Sequence, residues 1–212
     1  VIASEFWEQI HSERTKLLSL LESLSDDQWR TTSLCSAWTV EDVVAHLTAA
    51  ASTGRWAWIS NMLRSGFNTD KHNARLLAKF KGRTPQDTLG RFRGAIANTV
   101  APTADYAAFL GEVVVHGQDI ARPLGLELVP DPAGLQEVAG FFASKDFAVN
   151  SKTLVKGLRL KASDASFEAG EGPVVRGALL DLVMAMAGRG VYCEALSGEG
   201  VPELRRRIER PA

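Results

Sequence analysis

Apolar residues recur at helical spacing through most of the chain, and alternate only near its end. Phe6, Ile10, Leu17, Leu21 and Leu24 form one stripe, widened by Leu18 and Leu20. They predict a helix over residues 4–24 with Ser4 as its N-cap. Ser25 and Gln28 have capping-box spacing and predict a short turn that carries Trp29 back to the core. A loop from Ser33 precedes Thr39, which opens a second helix with Asp42 able to reach back to the cap. Val40, Val43, Val44, Leu47 and Ala51 line its inner face, and the pattern extends to about Leu63 through Trp56, Trp58 and Ile59. Residues 65–83 read as a polar connection with a helical turn around Ala74 to Phe80. Thr84-Pro85-Gln86-Asp87 starts a third helix with Leu89, Phe92, Ile96 and Val100 inward. A fourth helix, about Ala104 to Leu124, has Phe109, Leu110, Val113, Val114, Ile120 and Ala121 as its core. Asp131-Pro132 opens a fifth.

The pattern then changes. Leu154 to Ala162 alternates, Ser166 to Glu168 and Val174-Val175 are short strand candidates, and Gly170 to Pro173 forms a turn between them. Ala178 to Ala187 is an apolar helix ending at Gly188, Val191 to Leu196 reads as a strand, and Pro202 to Glu209 as a last helix. The expected architecture is mainly α, with a helical bundle over residues 1–148 and a small α+β domain over 149–212.

Composition narrows the function classes. The net charge of −1 gives no basic field for nucleic acid or an anionic membrane. No apolar run is long enough to span a bilayer, and the opening residues lack a secretory-signal pattern. The two cysteines, Cys35 and Cys193, form no CxxC pair, and a reduced, cytoplasmic protein is expected.

The chemistry concentrates in Gly111 to Ile120. Glu112 and His116 lie four residues apart on a predicted helix, so both side chains leave one face. His46, beside the apolar stripe of the second helix, offers a third group. Imidazole and carboxylate ligands suit a divalent ion, most readily zinc, with nickel or iron also accommodated, and three of them leave positions open for water or substrate. An E-x-x-x-H pair also arises by chance, and a lone histidine more often serves a core hydrogen bond. Asp119 is spaced to orient His116, or to pair with Arg122 at the surface, and the surface pair is the simpler reading. Cys35 is assigned to packing, while His11 and His72 read as exposed. Arg205-Arg206-Arg207 reads as a solvated helix face.

Three segments carry a family resemblance. Leu34 to Leu47 resembles the loop-helix signature of the mycothiol-dependent maleylpyruvate isomerase family within the DinB-like superfamily. Glu112 to Arg122 resembles its second signature, and Asp181 to Arg189 the helix of its small sterol-carrier-like C-terminal domain. The resemblance implies a DinB-like antiparallel four-helix bundle with a divalent metal on His46, Glu112 and His116. It also implies mycothiol, an actinobacterial thiol, as cofactor. The expected reaction is addition of the activated thiol to an electrophilic small molecule, as an isomerase or an S-transferase. Arg189 is a candidate to bind an anionic group of substrate or cofactor, and reads equally well as a cation at a helix C-terminus. Gln118 stands where the family pattern has an aromatic residue, which leaves the substrate open. Two alternatives stand beside this reading: a hydrolase using metal-activated water, and a non-catalytic metal- or ligand-binding protein.

Overall fold

The computed structural model describes residues 3–35, 38–54, 69–101 and 103–210, with side chains omitted for 69–74. The described chain divides into two compact units, Val1–Val129 and Pro130–Ala212.

The first unit is helical. Helix α1 spans Ala3–Glu22, α2 Asp26–Trp29, α3 Val40–Ser52, α4 Thr69–Phe80, α5 Pro85–Ala95 and α6 Tyr106–Ala121. α1 packs on α6 and α5, and α3 packs on the same two helices, which closes a ring of four; α4 lies against α3. Inside it, Leu17 and Leu21 of α1, Trp29, Val40, Val43, Val44 and Leu47 of α3, Phe92 of α5 and Ile120 of α6 form one buried cluster.

Local chemistry sets the helix starts. Ser25 and Gln28 close the expected capping box of α2. At α3 the Thr39 amide and hydroxyl donate to Asp42 Oδ2 at 3.0 and 2.7 Å, and the Asp42 amide donates back to Thr39 Oγ1 at 3.3 Å. Lys81 Nζ donates to Asp42 Oδ1 at 2.7 Å and lies 3.4 Å from Glu41 Oε2. The hydroxyl of fully buried Thr88 donates to Glu41 Oε1 at 2.8 Å and accepts from the Gly82 amide. This polar knot fixes where α3 begins, and therefore which way residues one turn later point. The buried Arg14 guanidinium donates to the Ile96 and Asn98 carbonyls at 3.1 and 2.9 Å, supplying partners where α5 ends. Burial pushes its pKa down to about 10.

Four expectations change in this unit. α3 stops at Ser52, because Thr53 is extended; Trp56, Trp58 and Ile59 lie outside the described residues. Where a polar connection with one turn was expected, α4 is a twelve-residue helix. Val100 lies beyond the end of α5. His11 is half-buried, with Nε2 3.3 Å from the Asn98 carbonyl. The side chain of His72 is outside the described set.

The second unit contains α7 (Pro132–Ser144), α8 (Ser151–Val155), β1 (Arg159–Ala162), β2 (Glu168–Ala169), β3 (Val174–Gly177), α9 (Leu179–Met186), a 3₁₀ segment (Gly190–Ala195) and α10 (Val201–Ile208). The sheet order is β2-β1-β3, antiparallel between β1 and β2 and parallel between β1 and β3. The compact units divide earlier than the 148/149 boundary read from the sequence, because α7 packs on α9. The alternating stretch from Leu154 divides into the end of α8 and strand β1, separated by Gly157 at φ +73°. Val191 to Leu196 is not a strand: Tyr192, Cys193 and Leu196 are buried and Glu194 and Ala195 exposed, a helical rather than alternating pattern. Glu203 bonds Arg206 and Arg207, and Arg207 also donates to the Leu154 and Lys156 carbonyls, so the arginine run is partly structural.

Two predictions follow from the first unit. Phe92→Ala, at a fully packed position, is expected to cost about 3–5 kcal/mol in urea denaturation. Burial raises the Asp42 carboxyl, but Lys81 and Thr39 outweigh it and hold its pKa below 3.8. That stability is present above the unfolded value and is lost as pH falls through the lower folded value. Asp42→Asn should therefore be less stable than wild type at pH 7, with the gap closing below about pH 4. Urea midpoints across that range measure it, and a pH-independent gap would contradict it.

Candidate metal centre

α3 and α6 pack side by side, and each presents part of one cluster. His46 Nε2 lies 2.6 Å from Glu112 Oε1, and His116 Nε2 lies 3.7 Å from the same oxygen. The three ligand atoms are within 4.8 Å of one another. Their side chains are 17%, 24% and 13% exposed, so the cluster is reachable from solvent but mostly shielded from it. The structure brings together all three residues singled out from the sequence.

Each imidazole is held from behind, by different means. His116 Nδ1 lies 2.9 Å from Asp119 Oδ2, and Asp119 has no exposed surface. A carboxylate only accepts, so Nδ1 is the donor and Nε2 is the nitrogen that faces Glu112 and His46. Carboxylate support on the far nitrogen is the usual arrangement behind a metal-binding histidine. His46 is held by packing: the Trp38 ring lies 4.9 Å from its ring at 44°. Its Nδ1 is buried without a hydrogen-bond partner among the described residues.

Asp119 is therefore not a surface residue: it is fully buried against His116, while Arg122 is exposed. The i,i+3 spacing from His116 was the available signal, and burial decided between its two readings. Cys35, assigned to packing, does pack against the apolar cluster, and its thiol also reaches the Asp119–His116 pair. Its Sγ lies 3.0 Å from Asp119 Oδ2 and 3.5 Å from His116 Nδ1, contacts that span more than eighty residues and leave no local mark in the sequence. Gln118 is buried, and its amide donates to the Leu128 carbonyl at 2.6 Å. Beside it, a Cβ on Gly117 would meet the Leu128 side chain at 2.8 Å. Gln118 thus ties down the segment after α6. Arg189 belongs to the second unit, where it donates to the Ala187 carbonyl at 2.6 Å near the end of α9.

The donor set fits a divalent ion. Two imidazole nitrogens and one carboxylate oxygen converge, one imidazole is held by a carboxylate on its far nitrogen, and three protein ligands leave coordination positions for exchangeable groups. Residues 10–105 match the mycothiol maleylpyruvate isomerase N-terminal domain. The matched stretch contains Cys35, Trp38 and His46, and ends before Glu112 and His116. Two solved structures share the fold: a mycothiol-dependent maleylpyruvate isomerase and a histidine-to-alanine mutant of such an enzyme. Each has a TM-score of 0.66 and 16% identity over 94% of this chain and 93% of that one. No curated protein sequence matches the chain. Among the described residues, no helix is long and apolar enough to cross a membrane.

The buried carboxylate yields a direct check. Nitrogen-detected spectra of the metal-free protein should show His116 as the Nδ1–H tautomer. Asp119→Ala should abolish that preference and cost about 1–3 kcal/mol by leaving a buried donor without its acceptor. A wild-type Nε2–H tautomer at His116 would contradict the assignment.

Proposed function

We propose that the protein is a divalent-metal- and mycothiol-dependent enzyme that adds the thiol to an electrophilic small molecule, as an isomerase or an S-transferase. The observation that carries this reading is the convergence of His46 Nε2, Glu112 Oε1 and His116 Nε2 in a helical unit whose residues 10–105 match a mycothiol maleylpyruvate isomerase domain. Those three residues would hold the ion, with zinc favoured because it accepts imidazole, carboxylate and thiolate together. When bound, such an ion supplies the Lewis acidity that keeps a thiol in its nucleophilic thiolate form at neutral pH.

The chain's own residues prepare the site. Asp119 holds a proton of His116 on Nδ1, which turns Nε2 towards Glu112 and His46. Glu112 Oε1 shares a proton with His46 Nε2 at 2.6 Å, and ligation there would release it, which makes metal uptake pH-dependent. Trp38 covers His46 and keeps water from that side of the ring. In an isomerisation, sulfur bonds to one carbon of a cis double bond, the remaining single bond rotates, and loss of the thiol restores a trans double bond. In a transfer, the adduct leaves intact. Arg189 remains a candidate to bind an anionic group of substrate or cofactor; one of its N–H groups donates to the Ala187 carbonyl. Cys35 and Cys193 are not joined to each other by a disulfide.

Metal analysis of untagged protein is the first test. Wild type should carry a stoichiometric divalent ion, and His46→Ala and His116→Ala should lose it; equal metal in all three would overturn the ligand assignment. Turnover of maleylpyruvate or another cis-alkene electrophile should require both the metal and mycothiol. Turnover at the same rate without the thiol would overturn the thiol-dependent reading and favour metal-activated water.

A further inference from the structure

Cys35 sits in a loop built to hold it still. The Leu34 amide donates to the Asp119 backbone carbonyl at 3.1 Å, which fastens the loop to α6. Ser33, itself buried, donates from its backbone amide and from its hydroxyl to the Trp38 carbonyl at 3.0 and 2.9 Å. Its hydroxyl also accepts from the Cys35 amide at 3.1 Å. The Trp38 amide donates to the Cys35 carbonyl at 2.7 Å. Thus the backbone around Cys35 is placed by hydrogen bonds on both sides. The thiol then lies over the Asp119–His116 pair, in a triangle of 2.9, 3.0 and 3.5 Å.

A thiol is a weak donor, but its acceptor here is a buried carboxylate, and hydrogen bonds to charged groups are the stronger kind. Asp119 Oδ2 receives both the imidazole N–H and the S–H. Together with the backbone bond at Leu34, this fixes the carboxylate plane against His116. The same loop carries Trp38, whose ring packs on His46. One short segment therefore braces both histidines, through a hydrogen-bond chain on one side and ring packing on the other.

We propose that Cys35 is a positioning residue of the metal centre: its S–H donates to Asp119 and thereby sets the orientation of His116 and the affinity of the site for its ion. This rests on reading His46, Glu112 and His116 as the ligands. The rival role for Cys35 is packing, since it also lies against the apolar cluster of the bundle. The two roles predict opposite substitution patterns. Serine keeps a donor and loses bulk and apolarity; valine keeps apolar bulk and removes the donor.

Zinc affinity of wild type, Cys35→Ser and Cys35→Val should be measured by competition with a chromophoric chelator, beside thermal unfolding of each metal-free protein. Cobalt-loaded samples add an absorption spectrum that reads ligand geometry. If Cys35 positions the ligand, Cys35→Ser binds within about threefold of wild type with the same cobalt spectrum. Cys35→Val binds at least about tenfold more weakly, as outer-shell losses commonly do. If Cys35→Val does not fold, Cys35→Ala takes its place with the same expectation. Wild-type affinity in the valine or alanine variant, or a larger loss in the serine variant, overturns the positioning role and leaves the metal site standing. Absence of zinc binding by wild type overturns both.

Discussion

A carboxylate without exposed surface, Asp119, lies at the junction on which the centre depends. Burying an ionised group is costly unless it is paired and hydrogen-bonded. Asp119 meets that requirement through the His116 imidazole and the Cys35 thiol, and its own carbonyl receives the Leu34 amide. The loop before α3 and the helix α6 are thereby joined at one residue. Satisfying a buried charge and aiming a candidate ligand are the same physical event here.

The bundle supplies what that junction requires. The capping box at Thr39 and Asp42, bonded onward to Lys81, sets the first turn of α3. His46 follows one turn later, beside Val43 and Leu47, which point into the cluster shared with α1, α5 and α6. On α6, Glu112, His116 and Asp119 take successive positions along one face, while Val113, Val114 and Ile120 are buried. Helical spacing makes Glu112 and His116 neighbours, and the packing of α3 against α6 adds His46. The result is a partly exposed cluster of two imidazoles and a carboxylate carried on two packed helices.

Gln118 shows how a departure from a family pattern can be structural. Within α6 it points away from the Glu112–His116–Asp119 face, and it bonds the Leu128 carbonyl while Gly117 lets the Leu128 side chain close in. An aromatic side chain at that position would have to replace this contact with something else. The difference concerns how the segment after α6 is held, and the three convergent groups are unaffected by it.

Much of the fold was legible in the sequence because it is encoded locally. Caps at Ser25, Thr39, Thr84 and Asp131 and the stripes that follow them mark helices where the structure has them. The i,i+4 spacing of Glu112 and His116 needed nothing beyond helix geometry. Errors arose where a local pattern admitted two periods. Val191 to Leu196 is apolar enough for a strand, but its burial follows a helical turn; Leu154 to Ala162 alternates across a glycine that breaks it in two. Only the tertiary structure could decide the roles of Asp119 and Cys35. Whether an aspartate at i+3 faces water or a histidine depends on what covers it, and the covering thiol comes from a loop more than eighty residues away. Residue types and spacings along the chain name the atoms that chemistry can use; burial and long-range contact decide which of them are made to work together.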